Sequence, residues 1–119
     1  MYGHVNNVVY YEWIDSIVNS YLIEKCSLNP LKSDSIGFVV SSYCHFYSPI
    51  SYPNKVNLGL LVLKIGNSSV DYQIGIFDND QSLKASSVGG FRHVFVDRNN
   101  SRPKKLDEHF RENLSKISL

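Results

Sequence analysis

Cysteine, net charge and long apolar runs are all scarce in this chain. Its 119 residues contain two cysteines, Cys26 and Cys44, too few and too isolated for a disulfide framework, so both read as reduced packing thiols. Neither sign of charge dominates. Twelve Lys and Arg stand against 11 Asp and Glu, a formal net charge of +1, which supplies no general attraction to nucleic acid or to an anionic membrane. No apolar run approaches the ~18 residues of a membrane-spanning helix, and the first residues lack the basic, apolar character of a secretory leader. Together these absences point to a cytoplasmic protein with no nucleic-acid or membrane partner. His4, His45, His93 and His109 show no metal-ligand spacing. Phosphate loops, dinucleotide-binding glycine patterns and nucleophile elbows are absent too, so no metal or redox cofactor is implied. With no repeat or linker, one domain over residues 1–119 is the simplest organisation.

What the chain does carry is concentrated at its start. From Val5 to about Lys25 the polar residues Glu12, Asp15, Ser16 and Asn19 recur at spacings of three and four. Val9, Tyr10, Trp13, Ile14, Ile17, Val18, Tyr21 and Leu22 fill most of the remaining circumference, which predicts a helix wrapped largely by protein. Asn6 is the expected N-cap, because Val5 before it and Tyr10 four positions into the helix then form a hydrophobic staple. An Asn6 side chain bonded to Val8 or Val9 leaves the N–H of Asn7 unshared. Gly3, His4 and that N–H therefore meet at the positive end of a helix dipole, where charge developing on a carbonyl oxygen is stabilised.

Beyond Pro30 the period changes from helix to strand. Strands are predicted over Ile36–Tyr47, Lys55–Ile65 and Ser69–Phe77, the last two forming a hairpin about Gly66-Asn67-Ser68. A fourth run, Leu83–Val96, contains Gly89-Gly90, expected to bend or bulge it. Leu106, Phe110, Leu114 and Ile117 then follow a helical spacing. One helix, four strands and a short helix make an α+β layout with the first helix on the face of an antiparallel sheet.

Particular stretches resemble a known family. GHVNNVVYYEWID with Tyr21-Leu22-Ile23, Phe46-Tyr47-Ser48-Pro49, Gly66-Asn67-Ser68-Ser69-Val70 and His93-Val94-Phe95-Val96-Asp97 are together similar to the hot dog fold acyl-CoA thioesterases of the 4-hydroxybenzoyl-CoA thioesterase group. The resemblance implies a curved antiparallel sheet wrapped around a central helix. It also implies homodimers, paired through the strand after the helix (Ile36–Tyr47 here) and sometimes assembled into homotetramers, with active sites at the dimer interface. The substrate is an acyl-CoA or acyl-carrier thioester, with coenzyme A present only as part of it. In the family a backbone N–H at the helix start holds the thioester oxygen, and Asn7 matches that position. The reading assigns His4, Asn7 and Asp15 to catalysis and Gly3, Asn6 and Tyr10 to substrate binding.

The resemblance has one departure. The family's aspartate stands three residues before the motif glycine, which places it immediately before Met1, and the family's first strand also precedes the motif. Without the first strand Lys55–Ile65 is expected to be an exposed apolar edge. Three explanations stand open: a start placed too late, a naturally shortened homologue that has lost activity, or a different catalytic carboxylate, for which Asp15 is the alternative. Glu12 shares its stripe. The competing function is a non-catalytic acyl-CoA-binding or structural hot dog dimer. Bland readings accompany the sharp ones: His4 as a turn residue, Asp15 on a solvated face, and Tyr10, Tyr11 and Trp13 as packing. Arg92, Arg98, Arg102, Lys104 and Lys105 suit CoA phosphates or plain surface charge, and Asp71 and Asp78 read as strand-face and turn residues.

Overall fold

The structure is a computed structural model and describes residues 6–50, 55–78 and 84–118. Helix α1, Asn7–Lys25, begins where Asn6 takes an extended conformation (φ −78°, ψ 150°) and caps it. Tyr10, Ile14, Val18 and Leu22, spaced by four, are its buried stripe, each contributing about 1.5–3 kcal/mol on burial. The flanking Trp13, Ile17 and Tyr21 are partly buried, while Val8, Tyr11 and Ile23 are exposed, so a single chain covers less of the helix than its composition suggests. Ser27 in the left-handed region (φ 60°) turns the chain, and the Leu28 N–H returns to the Leu22 carbonyl at 3.0 Å.

Strands β1 (Ser35–Phe46), β2 (Val56–Ile65), β3 (Ser69–Asp78) and β4 (Ser87–Asp97) form one antiparallel sheet in the order β1-β4-β3-β2. Its inner face is read from alternation: Val70, Tyr72, Ile74 and Ile76 on β3 are buried, as are Phe91, His93 and Phe95 on β4. The expected hairpin is present, closed by the Gly66 N–H bonding the Ser69 carbonyl at 2.7 Å.

No bulge falls at Gly89-Gly90, where one was an expected alternative. Register runs unbroken through both glycines, and the shifts fall between Val39 and Ser41 and between Val62 and Lys64. Gly89 serves close approach instead. A Cβ there would collide with Ile14 of α1 and stand 2.9 Å from the Tyr43 carbonyl oxygen, so the missing side chain lets the helix settle onto the sheet.

Helix α2, Glu108–Ser115, is capped by Asp107, whose carboxylate accepts from the Phe110 N–H at 2.8 Å, and it buries Phe110 and Leu114. The Tyr21 hydroxyl donates to the Asn113 carbonyl at 2.5 Å, tying the two helices together. β2 is a sheet edge, as expected, but the segment after α2 covers part of it: the Val62 N–H donates to the Ile117 carbonyl at 2.9 Å. The other edge, β1, exposes Phe38 and Val39 at 50% and Val40 at 56%.

Candidate active site

The N-terminal turn of α1 arises as the capping argument requires. Asn6 Oδ1 accepts from the Val8 N–H at 2.8 Å and the Asn6 carbonyl accepts from the Val9 N–H at 3.0 Å. The N–H of Asn7, on an exposed residue, has no hydrogen-bond partner among the described residues. It points along the helix dipole, and no side chain of the described residues bonds to it, the arrangement that stabilises an oxyanion. Gly3 and His4 lie outside the described residues.

Tyr10 forms the floor of this turn. It is 3% exposed and packs edge-on against Trp13 (ring centroids 5.5 Å) and Phe46 of β1 (4.9 Å). Burial raises its phenol pKa, while the Ile50 backbone and the Ser87 hydroxyl offset part of that rise and the nearby Cys44 and Asp78 add to it. Asp78, at the end of β3, is only 4% exposed, so the turn residue expected from sequence is in fact a buried carboxylate below the helix start. Ser87 is fully buried beside it on β4. Neither carried a motif; alternation with Ile74 and Ile76 is the one signal that placed Asp78 inward.

Asp15 stands apart from this cluster. It is exposed on α1, eight residues or about 12 Å along the axis from Asn7, and its carbonyl accepts from Asn19 Nδ2 at 2.9 Å. Glu12 is exposed as well. The structure thus brings Asn6, Asn7 and Tyr10 together and sets Asp15 on the outward face.

The basic residues divide by partner. Arg92 forms a two-pronged pair with Asp71 (2.6 and 3.0 Å), which raises the guanidinium pKa. Arg98 donates to the Ser33 and Pro30 carbonyls at 2.7 and 2.6 Å and so holds a turn. Lys104 lies between Asp34 (3.9 Å) and Asp97 (3.8 Å). Arg102 and Lys105, both exposed, form no ion pair among the described residues. A cleft of 340 Å³ does open near these lysines, but at the far end of α1 beside Cys26. There the helix dipole is negative, and Asp34 and Asp107 offset Lys32, Lys104 and Lys105. Burial pushes the Cys26 thiol up to about 11, away from nucleophilic use.

The sequence pattern of the thioesterase superfamily matches residues 2–85, a span that holds α1, its N-terminal N–H and strands β1 to β3. This chain belongs to the thioesterase superfamily. Within it, the PA5185 protein of Pseudomonas aeruginosa strain PAO1 is 42% identical, with a TM-score of 0.92 over 98% of this chain and 80% of that one. Two more distant structures share the fold. The SAV2348 protein of Staphylococcus aureus, solved in complex with CoA, is 13% identical with a TM-score of 0.86, over 98% of this chain and 74% of that one. The DHNA-CoA thioesterase of Staphylococcus aureus is 21% identical with a TM-score of 0.80, over 97% and 79%. No curated protein matches the sequence. The fold of this thioesterase-superfamily chain is the hot dog arrangement, an α+β curved antiparallel sheet around a central helix.

Proposed function

We propose that the protein hydrolyses acyl-CoA thioesters, with the thioester oxygen held by the Asn7 N–H. The observation that carries this reading is an N–H unshared among the described residues at an exposed, positively polarised helix start in a chain of the thioesterase superfamily. Similarity in fold to a CoA complex and to a DHNA-CoA thioesterase supports CoA thioesters as the substrate class. Water attacks the carbonyl carbon, negative charge collects on the oxygen facing Asn7, and the C–S bond breaks as the tetrahedral intermediate collapses. The proton lost by the water goes to a carboxylate and then to the departing CoA sulfur. His4 assists in polarising the carbonyl, and Asn6 caps the helix that presents the N–H. Asp15, exposed about 12 Å along α1 from Asn7, is the alternative carboxylate for the water that the Asp15→Asn variant tests.

The functional unit in this reading is a homodimer built on β1. That strand is a sheet edge with unpaired backbone groups and exposed Phe38, Val39 and Val40, a surface that a second copy would cover. The test is release of free CoA thiol from a panel of acetyl-, hexanoyl-, palmitoyl- and benzoyl-CoA by the wild-type chain and by Asp15→Asn. Turnover that falls at least about 100-fold in the variant supports the assignment of the base. Turnover retained by D15N removes Asp15 from the mechanism, and binding of acyl-CoA without any turnover replaces the hydrolase by a binding module.

A further inference from the structure

The inner face of β1 carries side chains that the described residues leave uncovered. Val39, Ser42, Cys44 and Phe46 stand directly opposite His93, Phe91, Gly89 and Ser87 of β4, and paired residues share a face of the sheet. Those β4 residues are all buried, whereas Val39 is 50% and Phe46 45% exposed, and Ser42 is exposed as well. Helix α1 covers β4 and stops short of β1, running beside it in the opposite direction. Tyr10 packs on Phe46 with ring centroids 4.9 Å apart, and one turn later Ile14 lies over Gly89, next to the Cys44 sulfur. The flank of α1 with Trp13, Ile17 and Tyr21 faces α2, where the Tyr21 hydroxyl donates to the Asn113 carbonyl. The opposite flank, with exposed Tyr11 and Asp15, therefore faces β1. A groove results, floored by β1 and walled by α1, and it starts at the Asn7 turn.

The lining of this groove changes along its length. Near the turn it is apolar, with the rings of Tyr11 and Phe46 and then Cys44, a gathering of exposed apolar side chains that marks a binding surface. Asp15 lies about 12 Å along the helix axis from Asn7, and Ser42 about 13 Å along β1 from Phe46. Among the described residues, neither the Asp15 carboxylate nor the Ser42 hydroxyl has a hydrogen-bond or ion-pair partner. Hydrocarbon laid over these groups would strip their water and put nothing in its place, which is unfavourable.

We propose that this groove holds the acyl chain of the substrate and that Ser42 marks its far limit, which makes straight medium-chain acyl groups the preferred class. An extended chain advances about 1.3 Å per carbon, from C–C bonds of ~1.5 Å, so the apolar stretch takes roughly eight to ten carbons. This rests on the hydrolase reading above and adds to it a substrate class and two specificity-determining positions, Cys44 and Ser42. A second copy paired on β1 would close the open side of the groove.

The experiment reads kcat/KM on acetyl-, hexanoyl-, decanoyl- and palmitoyl-CoA for wild type, Ser42→Trp, Ser42→Val and Cys44→Leu, with calorimetric affinities for the same four compounds. Wild type is expected to improve from acetyl to decanoyl and to fall by about tenfold at palmitoyl. S42W lowers decanoyl by about tenfold or more and leaves acetyl unchanged. S42V makes the far end apolar and raises palmitoyl. C44L, nearer the turn, lowers hexanoyl as well as decanoyl. That match between position along β1 and the chain length affected is something a general loss of stability does not produce. If C44L does not fold, S42W and S42V decide the matter, since position 42 is exposed. A chain-length profile unchanged in S42W, or a wild type that prefers palmitoyl, overturns the groove and leaves the hydrolase reading standing. A wild-type chain with no turnover on any of the four overturns the hydrolase reading, and the affinities then decide the groove. Affinity that rises from acetyl to decanoyl in wild type but not in S42W supports it, and equal affinity at every chain length overturns it.

Discussion

His93 makes the stability of this protein depend on pH in a way that can be worked out from its surroundings. It lies on the inner face of β4 at 5% exposure, enclosed by Phe91 (ring centroids 4.7 Å), Phe95 (5.2 Å) and Tyr72 (5.3 Å), with its Nδ1 3.0 Å from the Tyr72 hydroxyl. Desolvation lowers its pKa from the ordinary 6.5 to about 4, because an imidazolium cannot be hydrated there. Burial also raises the Tyr72 phenol, so both partners stay neutral near pH 7. The unfolded chain takes up a proton near pH 6.5 and the folded chain only near pH 4. Stability from this group is therefore complete above about pH 6.5 and drains away as pH falls toward 4, with no further loss below that. At about 1.4 kcal/mol per tenfold change in proton affinity, the full loss is roughly 3 kcal/mol, a large share of the ~5–15 kcal/mol of a typical domain. Urea unfolding of wild type and His93→Gln from pH 8 to pH 4 is the assay, since glutamine can still pair with Tyr72 but does not titrate. The stability difference between them is expected to shift by roughly 3 kcal/mol between pH 6.5 and 4. A difference that stays flat, or an NMR titration placing His93 near 6.5, refutes the reasoning.

Further outcomes follow from packing and from the exposed edge. Gly89→Ala is expected to destabilise the fold by about 1–3 kcal/mol, because the new methyl meets Ile14 and the Tyr43 carbonyl; thermal and urea unfolding measure it. Asn6→Ala removes the acceptor for the Val8 N–H and is expected to cost about 1 kcal/mol in the same assays. Val40→Lys puts a charge on the β1 edge where Val40 is 56% exposed and is expected to shift a dimer to monomer in analytical ultracentrifugation. A wild-type chain that is monomeric at high concentration contradicts the β1 pairing.

Much of this fold was legible because local chemistry and tertiary need agree. The Asn6 cap and the Gly66 hairpin are each written in a few neighbouring residues, and each stands where the sequence places it. The bulges were not legible. They fall at Val40 and Leu63, where the outer strands shift register with no glycine to mark the spot, while Gly89 answers to Ile14 of the distant helix α1 and Gly90 to Tyr72 and Tyr43 of the neighbouring strands. Asp78 was misread for a related reason. Its Asp-Asn-Asp setting looks like a turn, and only the inward alternation of β3 shows that it closes a strand as a buried residue. Arg92 and Arg98, candidates for phosphate contacts by charge alone, are committed to Asp71 and to backbone carbonyls, partners that come from distant strands and turns.

The central claim concerns a single N–H, and proline can remove it. Asn7 is the first residue of α1, where proline is tolerated, and Asn6 already has the extended conformation that a following proline requires. Asn7→Pro should therefore fold with nearly unchanged stability. Acyl-CoA hydrolysis by this variant is the measurement to make. The account expects kcat to fall about 100- to 1000-fold with the melting temperature little altered, whereas wild-type turnover in a well-folded N7P protein would contradict it.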